Sequence, residues 1–381
     1  MSESRPYERL IMLTCFLCNL SQIPVLFSNR LLGISYMGCW ILLLVVLWLN
    51  NIGGIQPIHF IWPIVFDIFC VVMSVLNGGY ISSDLFRPIN LSAFIFLIGL
   101  LAGGYLEEES LKKISIAFIS SALLVALYLY MNIFRGVDWA NSGAYLYASK
   151  NSAGQIFLTA VILTALLFLK EHKVLSMGVI AFCTALIIMM KSRATLVTLI
   201  IIAIYMLLFV IEKPSYKLLG IICIISMIII ILTNEGLYNL YIKQIMLNNK
   251  DIADISGITS DRDIQYRLFN QYFKNYFVAG TGGTYIESMP LAVLMSYGVI
   301  GGIPVLLYSL YPLYIGIKNV RIWQYKRFCH IIISLALMMW INGIFEEQSP
   351  FGPGVKCYFL WLITGIFLGY KQRNELYDGF E

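Results

Sequence analysis

Charged side chains are what this chain most lacks: of 381 residues, 12% are Asp, Glu, Lys or Arg, against 59% hydrophobic. A soluble domain of that length needs more polar surface than this composition supplies, so lipid must be the solvent for much of it. Histidine is scarcer still, with three in the chain, His59, His172 and His330. Each falls at an end or loop that the topology argued below puts in the cytoplasm, which leaves no imidazole for chemistry on the other face. Cysteine is present but badly placed for cross-linking. All eight (Cys15, Cys18, Cys39, Cys70, Cys183, Cys223, Cys329 and Cys357) lie in or beside apolar runs, and the longest polar loop has none. That argues against a disulfide framework or a zinc site and reads Cys15 and Cys18 as one helical turn of small core residues. Repeats and low-complexity tracts are missing, and a net charge of +5 gives no basis for binding nucleic acid.

Long apolar runs are what is there. A hydrocarbon core of about 30 Å is crossed by roughly 20 residues of helix, and backbone in lipid must satisfy its own hydrogen bonds. Runs of that kind fall at 10–28, 31–50, 58–77, 88–105, 114–134, 152–169, 174–190, 193–211, 216–233, 290–316, 328–345 and 355–370. The expected fold is therefore all-α, a polytopic transmembrane bundle of about twelve spans forming one integral membrane domain over residues 1–381. Arg5 and Arg9 precede the first run without a small-residue cleavage site, which reads as a first span rather than a signal peptide. With the N-terminus inside, the cytoplasmic connections carry Lys112, Lys113, Lys170, Lys173, Lys213, Lys217, Lys318, Arg321, Lys326 and Arg327, joined by Arg5, Arg9, Lys371 and Arg373 at the termini. Leaving out the longest loop, the outer side carries Arg30, Arg87, Arg135, Lys150, Lys191, Arg193 and Lys356. The bias places both termini in the cytoplasm.

Polar material then gathers outside, in the 135–151 and 346–356 loops and above all in residues 234–289, a stretch of about 55 residues before the tenth span. Within it, Ile264, Leu268, Tyr272 and Tyr276 recur at helical spacing between Asp261 and Phe277, predicting an amphipathic helix on the bundle or at the membrane surface. Arg267 and Lys274 share one face of it. Cations stand where the topology should deplete them: Lys191, Arg193, Arg262 and Arg267. Guanidinium groups grip phosphate oxygens bidentately, which suits a lipid pyrophosphate; the competing reading pairs them with headgroups or with Glu235, Asp261, Asp263 and Glu287. Trp139, Tyr145, Tyr147, Tyr266, Tyr272, Phe273, Tyr276, Phe277 and Tyr285 crowd the same loops, as sugar-stacking rings or as interface anchors. Glu287 follows a turn with Gly280, Gly282 and Gly283, and reads either as a base for an attacking hydroxyl or as an arginine's salt-bridge partner. Asp261 and Asp263 imitate a metal pair, but that spacing is too common to carry a metal. Asp67, in mid-span, is expected to be hydrogen-bonded and structural.

Lys191-Ser192-Arg193-Ala194-Thr195 opens a span, and Ser260-Asp261-Arg262, Gly280-Thr281-Gly282-Gly283 and Tyr297-Gly298-Val299-Ile300-Gly301-Gly302 follow in order. Over roughly 145–305 this resembles the O-antigen polymerase and O-antigen ligase superfamily. Lys150-Asn151-Ser152-Ala153-Gly154 is similar to an Asn-x-x-Ala element of many members, with the alanine one position early. The resemblance implies a C-type glycosyltransferase bundle with a periplasmic site for undecaprenyl-pyrophosphate-linked oligosaccharide. It implies functional arginines at Arg193 and Arg262; beside them, the chemistry of the residues themselves marks Lys191, Arg267, Lys150, Asn151, Tyr285 and Tyr266 as candidate substrate contacts and Glu287 as a possible base. No cofactor or metal is implied; partners would be membrane lipids and a chain-length regulator. Where ligases present histidine then asparagine, this chain has Tyr285-Ile286-Glu287-Ser288, which favours polymerase over ligase. The alternative from another class is a flippase or other carrier, which should place ionisable residues at the midplane; along the sequence the midplane offers little beyond Asp67.

Overall fold

A computed structural model describes residues 4–27, 30–50, 58–76, 83–133, 150–190, 192–247, 262–351 and 357–378. All regular structure among them is helical. The helices are α1 (Ser4–Leu20), α2 (Arg30–Asn50), α3 (Ile58–Leu76), α4 (Ser83–Gly103), α5 (Glu108–Ile133), α6 (Lys150–Leu163), α7 (Lys173–Met189), α8 (Arg193–Tyr205), α9 (Pro214–Thr233), α10 (Arg262–Tyr272), α11 (Met289–Asn319), α12 (Lys326–Phe345) and α13 (Tyr358–Asp378). Wider π turns extend α6 through Thr164–Phe168 and α8 through Met206–Val210. Each apolar run in the sequence coincides with one of these helices, while α10 belongs to the long loop. Among the described residues, eight helices are long and apolar enough to cross a membrane. The protein is a helical membrane protein. None of the apolar stretch of α9 is buried, and its Leu218, Ile222, Ile225 and Ile229 point outward, as a lipid-facing helix would have them.

Packing follows residue size. In α4 and α13 the pairs Gly99/Gly103 and Gly365/Gly369 let the two backbones touch: a Cβ on Gly99 would lie 2.3 Å from the Leu362 carbonyl oxygen, and one on Gly369 2.1 Å from that of Leu100. Without a hydrophobic drive between helices in lipid, close backbone approach of this kind holds a bundle together. Cys15 and Cys18 are buried in the core, as expected, where the Tyr358 hydroxyl donates to the Cys15 carbonyl at 3.1 Å. Asn19 Nδ2 ties α1 to α5 by donating to Ser121 Oγ at 2.9 Å.

One end of the bundle is laced by ion pairs between connections: Lys112 to Glu171 at 2.5 Å, Lys326 to Glu212 at 2.6 Å and Lys113 to Glu8 at 3.3 Å. Hydrogen bonds from Lys112 and Lys326 hold the Glu171 and Glu212 carboxyls below the usual carboxylate range. The N-termini of α6, α8, α10 and α11 and the C-terminus of α12 gather at the other end.

Asp67 Oδ1 is buried and hydrogen-bonds to no described residue. The interior is more polar than a span-by-span reading suggests. Thr198 in α8 and Ser334 and Asn342 in α12 are wholly buried, where each looks like an isolated hydroxyl or amide in an apolar run, and Asn342 and Thr198 meet only on packing.

Candidate functional site

Helix α11 is broken near its start. Gly298 takes φ 63° and ψ −165°, a left-handed conformation that side chains resist, and interrupts the helix between Met289 and Asn319. The freed backbone groups pair with the glycine turn that precedes the helix. Thr281 N–H donates to the Met295 carbonyl at 2.8 Å and Gly282 N–H to that of Ser296 at 2.9 Å; Val299 N–H donates to Phe277 at 2.8 Å. Gly280, at φ 74°, sits against Gly298 so closely that a Cβ would come within 2.5 Å of the Gly298 nitrogen. The two glycine motifs of the sequence are thus halves of one interlock, which aims the residues between them, 283–288, at the end of the bundle.

There they meet three other segments around a pocket of about 340 Å³ lined by Asn151, Arg262, Tyr285, Glu287, Phe345, Glu346, Glu347 and Gln348. Asn151 comes from the first turn of α6, Arg262 opens α10, and Phe345 closes α12. The 346–351 loop is pinned from below. Met289 N–H donates to the Glu346 carbonyl at 3.0 Å, Ser349 Oγ to that of Met339 at 2.7 Å, and Trp361 Nε1 to that of Pro350 at 3.0 Å. Phe351 completes the anchor by stacking with Tyr308 and Trp361, at centroid distances of 6.0 Å each.

Arg262 is the hub. Its Nη2 lies 2.8 Å from Glu287 Oε2 and donates to the Phe345 carbonyl at 3.2 Å, with the guanidinium over the Phe345 ring. Glu287 is held on every side: Tyr285 Oη donates to its Oε1 at 3.1 Å, and its backbone N–H donates to Gln265 Oε1 at 2.7 Å. Burial and the neighbouring Glu287 charge push the Tyr285 hydroxyl up to about 12, so it stays a protonated donor through the neutral range. Of the two readings of Glu287, the structure shows the salt bridge.

Arg193 opens α8 beside the pocket. Its neighbour Ser192 donates Oγ to Asn151 Oδ1 at 2.8 Å, and the charge of Arg262 bears on the Arg193 guanidinium. The structure therefore brings Asn151, Arg262, Tyr285 and Glu287 into one pocket with Arg193 adjacent, but it does not gather the whole predicted set. Arg267 is 73% exposed and paired with Asp263 at 3.0 Å, turned away from the pocket because it stands more than a helical turn beyond Arg262. Tyr266 is exposed on the same helix. Lys191 and Asp261 lie outside the described residues, and Lys150 opens α6 with a side chain that is likewise outside them.

Helix α10 forms where the spacing predicts, and a 3₁₀ turn over Phe273–Tyr276 prolongs it. Phe269 and Phe273 pack on the core, while Ile264, Leu268, Tyr272 and Tyr276 are exposed and face away from the bundle, as the membrane-surface placement of that face would have them.

Sequence reasoning missed Glu346, Glu347 and Gln348. Glu347 is buried in the pocket wall and Glu346 Oε2 accepts from Gln155 Nε2 at 3.2 Å. Adjacent carboxylates directly after an apolar run, on a face singled out for its cations, were the available signal. With Glu287 they set three carboxylates against one guanidinium in the lining. Such a wall suits the hydroxyls of a sugar better than a bare anion; the cationic partners for an anion lie at its Arg262 and Arg193 side. A scan against protein-family models finds no match to this chain, and a search of curated proteins finds none either.

Proposed function

We propose that this protein is a polysaccharide polymerase of the O-antigen type, a glycosyltransferase joining undecaprenyl-pyrophosphate-linked repeat units at the periplasmic face of the inner membrane. Twelve helices then span the membrane with both termini cytoplasmic, and the pocket end faces the periplasm. The observation that carries this reading is the convergence of Asn151, Arg262, Tyr285 and Glu287, drawn from distant parts of the chain, on a pocket with room for one or two sugar rings.

The reaction needs an acceptor hydroxyl to attack the anomeric carbon of the donor. A carbon–oxygen bond forms there, the bond to the pyrophosphate oxygen breaks, and the hydroxyl proton leaves to a base. Pyrophosphate is already a good leaving group, so alignment of two membrane-tethered substrates and neutralisation of developing charge are the main tasks. Arg193 and Arg262 supply the second. Glu346, Gln348 and Asn151 hold sugar hydroxyls, and the Tyr285 ring packs on a sugar face. The proton goes to a carboxylate of the pocket wall, where Glu287 and Glu347 both stand.

Two observations favour a carrier of lipid-linked sugars instead: the helix broken at Gly298 and the polar interior of α8 and α12. Purified protein in vesicles with synthetic lipid-linked repeat units separates the two. A polymerase lengthens chains, and does so in excess chelator since arginines neutralise the leaving group. Movement of single units across the bilayer without lengthening would establish the carrier.

A further inference from the structure

The faces that α6, α8 and α12 turn toward one another carry a line of polar side chains running from the pocket into the bundle. On α6 they are Asn151, Gln155 and Thr159, spaced by four; on α8, Thr195, Thr198 and Tyr205; on α12, His330, Ser334 and Asn342. The helices are in contact through these groups. Ser192 Oγ bonds Asn151, Gln155 Nε2 bonds Glu346, Asn342 Nδ2 donates to Thr198 Oγ1 at 3.2 Å, and Tyr205 Oη lies 2.8 Å from His330 Nδ1. Gly154 fits directly against Thr195, whose Oγ1 would stand 2.7 Å from a Cβ there.

The line is not self-sufficient. Gln155 Oε1, Asn342 Oδ1, Ser334 Oγ and His330 Nε2 are buried and hydrogen-bond to no described residue. Gln155, Asn342 and Ser334 are wholly buried and His330 is 6% exposed. Each such atom carries the full desolvation cost of an unmade bond, and four along one seam call for a common partner. The partner must donate to the two amide oxygens and also meet a hydroxyl and an imidazole nitrogen. Water does all of this, and buried water characteristically bridges groups of this kind. From His330 to Asn342 the rise along α12 is about 18 Å, well over half of a hydrocarbon core.

We propose that α6, α8 and α12 enclose a file of bound water molecules, a polar seam that begins beneath the pocket at Gln155 and ends at the Tyr205–His330 pair near the opposite end. Its ligand is water, held by Gln155, Thr198, Ser334, Asn342 and His330, and it stands independently of which substrate the pocket takes.

Two adjacent methionines of α12 test this in the native protein. Met338 lies between Ser334 and Asn342 at four-residue spacing, on the seam. Met339 faces the other way, against Ser349 and Cys357. They are equally hidden, 0% and 1% exposed. Millisecond X-ray radiolysis makes hydroxyl radicals from bound water in place, and peptide mass spectrometry reads the methionine sulfoxide. The file predicts Met338 oxidised several-fold faster than Met339, and predicts that difference to shrink in Ser334→Ala and Asn342→Leu protein. Equal slow oxidation of both methionines in the unmutated protein would show a dry seam and overturn the proposal. So would a Met338 rate unchanged in folded variants, since water held there by other means is not held by these groups.

Discussion

At the residue scale the chemistry turns on which carboxylate of the wall takes the proton. Glu287, the residue the sequence singles out, is bonded to Arg262 and Tyr285, and Glu347 is buried in the same pocket wall. If Glu347 is the base, Glu347→Gln should cut the rate of chain elongation by about 10²-fold or more with little change in substrate affinity, the scale of losing a positioned general base. Glu287→Gln breaks a largely buried ion pair and frees Arg262 to move. Its effect should appear in KM at least as much as in kcat. A reversal of the two patterns in steady-state kinetics would reassign the base. Arg262 stood out beforehand because charged groups are rare in this chain, Tyr285 because it is one of the rings crowded into the outer loops, and Asn151 because of the motif it resembles. Arg267 was misread for the same reason as Arg262 stood out: rarity marks a cation, but only the turn of α10 decides whether it faces the pocket or solvent.

At the element scale the interlock of Gly280 with Gly298 sets the pocket's rim. A Cβ on Gly298 would fall 2.4 Å from the Ala279 nitrogen, and the residue's positive φ is unfavourable to any side chain. Gly298→Ala should cost about 1–3 kcal/mol from backbone strain alone, with the clash in addition. Thermal denaturation in detergent should show a lowered Tm and elongation should fall with it; an unshifted Tm would mean that α11 is not broken there. The helices themselves were readable as apolar runs because lipid leaves the backbone no other option. The break was not, since a glycine inside an apolar run gives no sign of the loop that will pair with it. Which face of α10 the bundle takes was open for a related reason: two apolar faces share that helix, and only docking shows that Phe269 and Phe273 win the core.

At the scale of the whole molecule, the proposed orientation turns the ion-paired end to the cytoplasm and the pocket end to the periplasm, in keeping with the lysine and arginine bias of the sequence. A membrane-impermeant thiol reagent on intact spheroplasts should modify a cysteine placed at Asn249 and spare one placed at Asn374; the opposite pattern would turn the pocket toward the cytoplasm. The central claim, that this pocket polymerises lipid-linked sugars, is tested most directly by electrophoresis of surface glycolipids from cells carrying Arg193→Ala. Losing charge stabilisation worth roughly 3 kcal/mol should collapse the ladder to core bearing a single repeat unit, with Arg193→Lys restoring part of it. Full-length ladders from Arg193→Ala cells with normal amounts of the protein would contradict the account, as would long polymer stranded on its lipid carrier, the mark of a ligase.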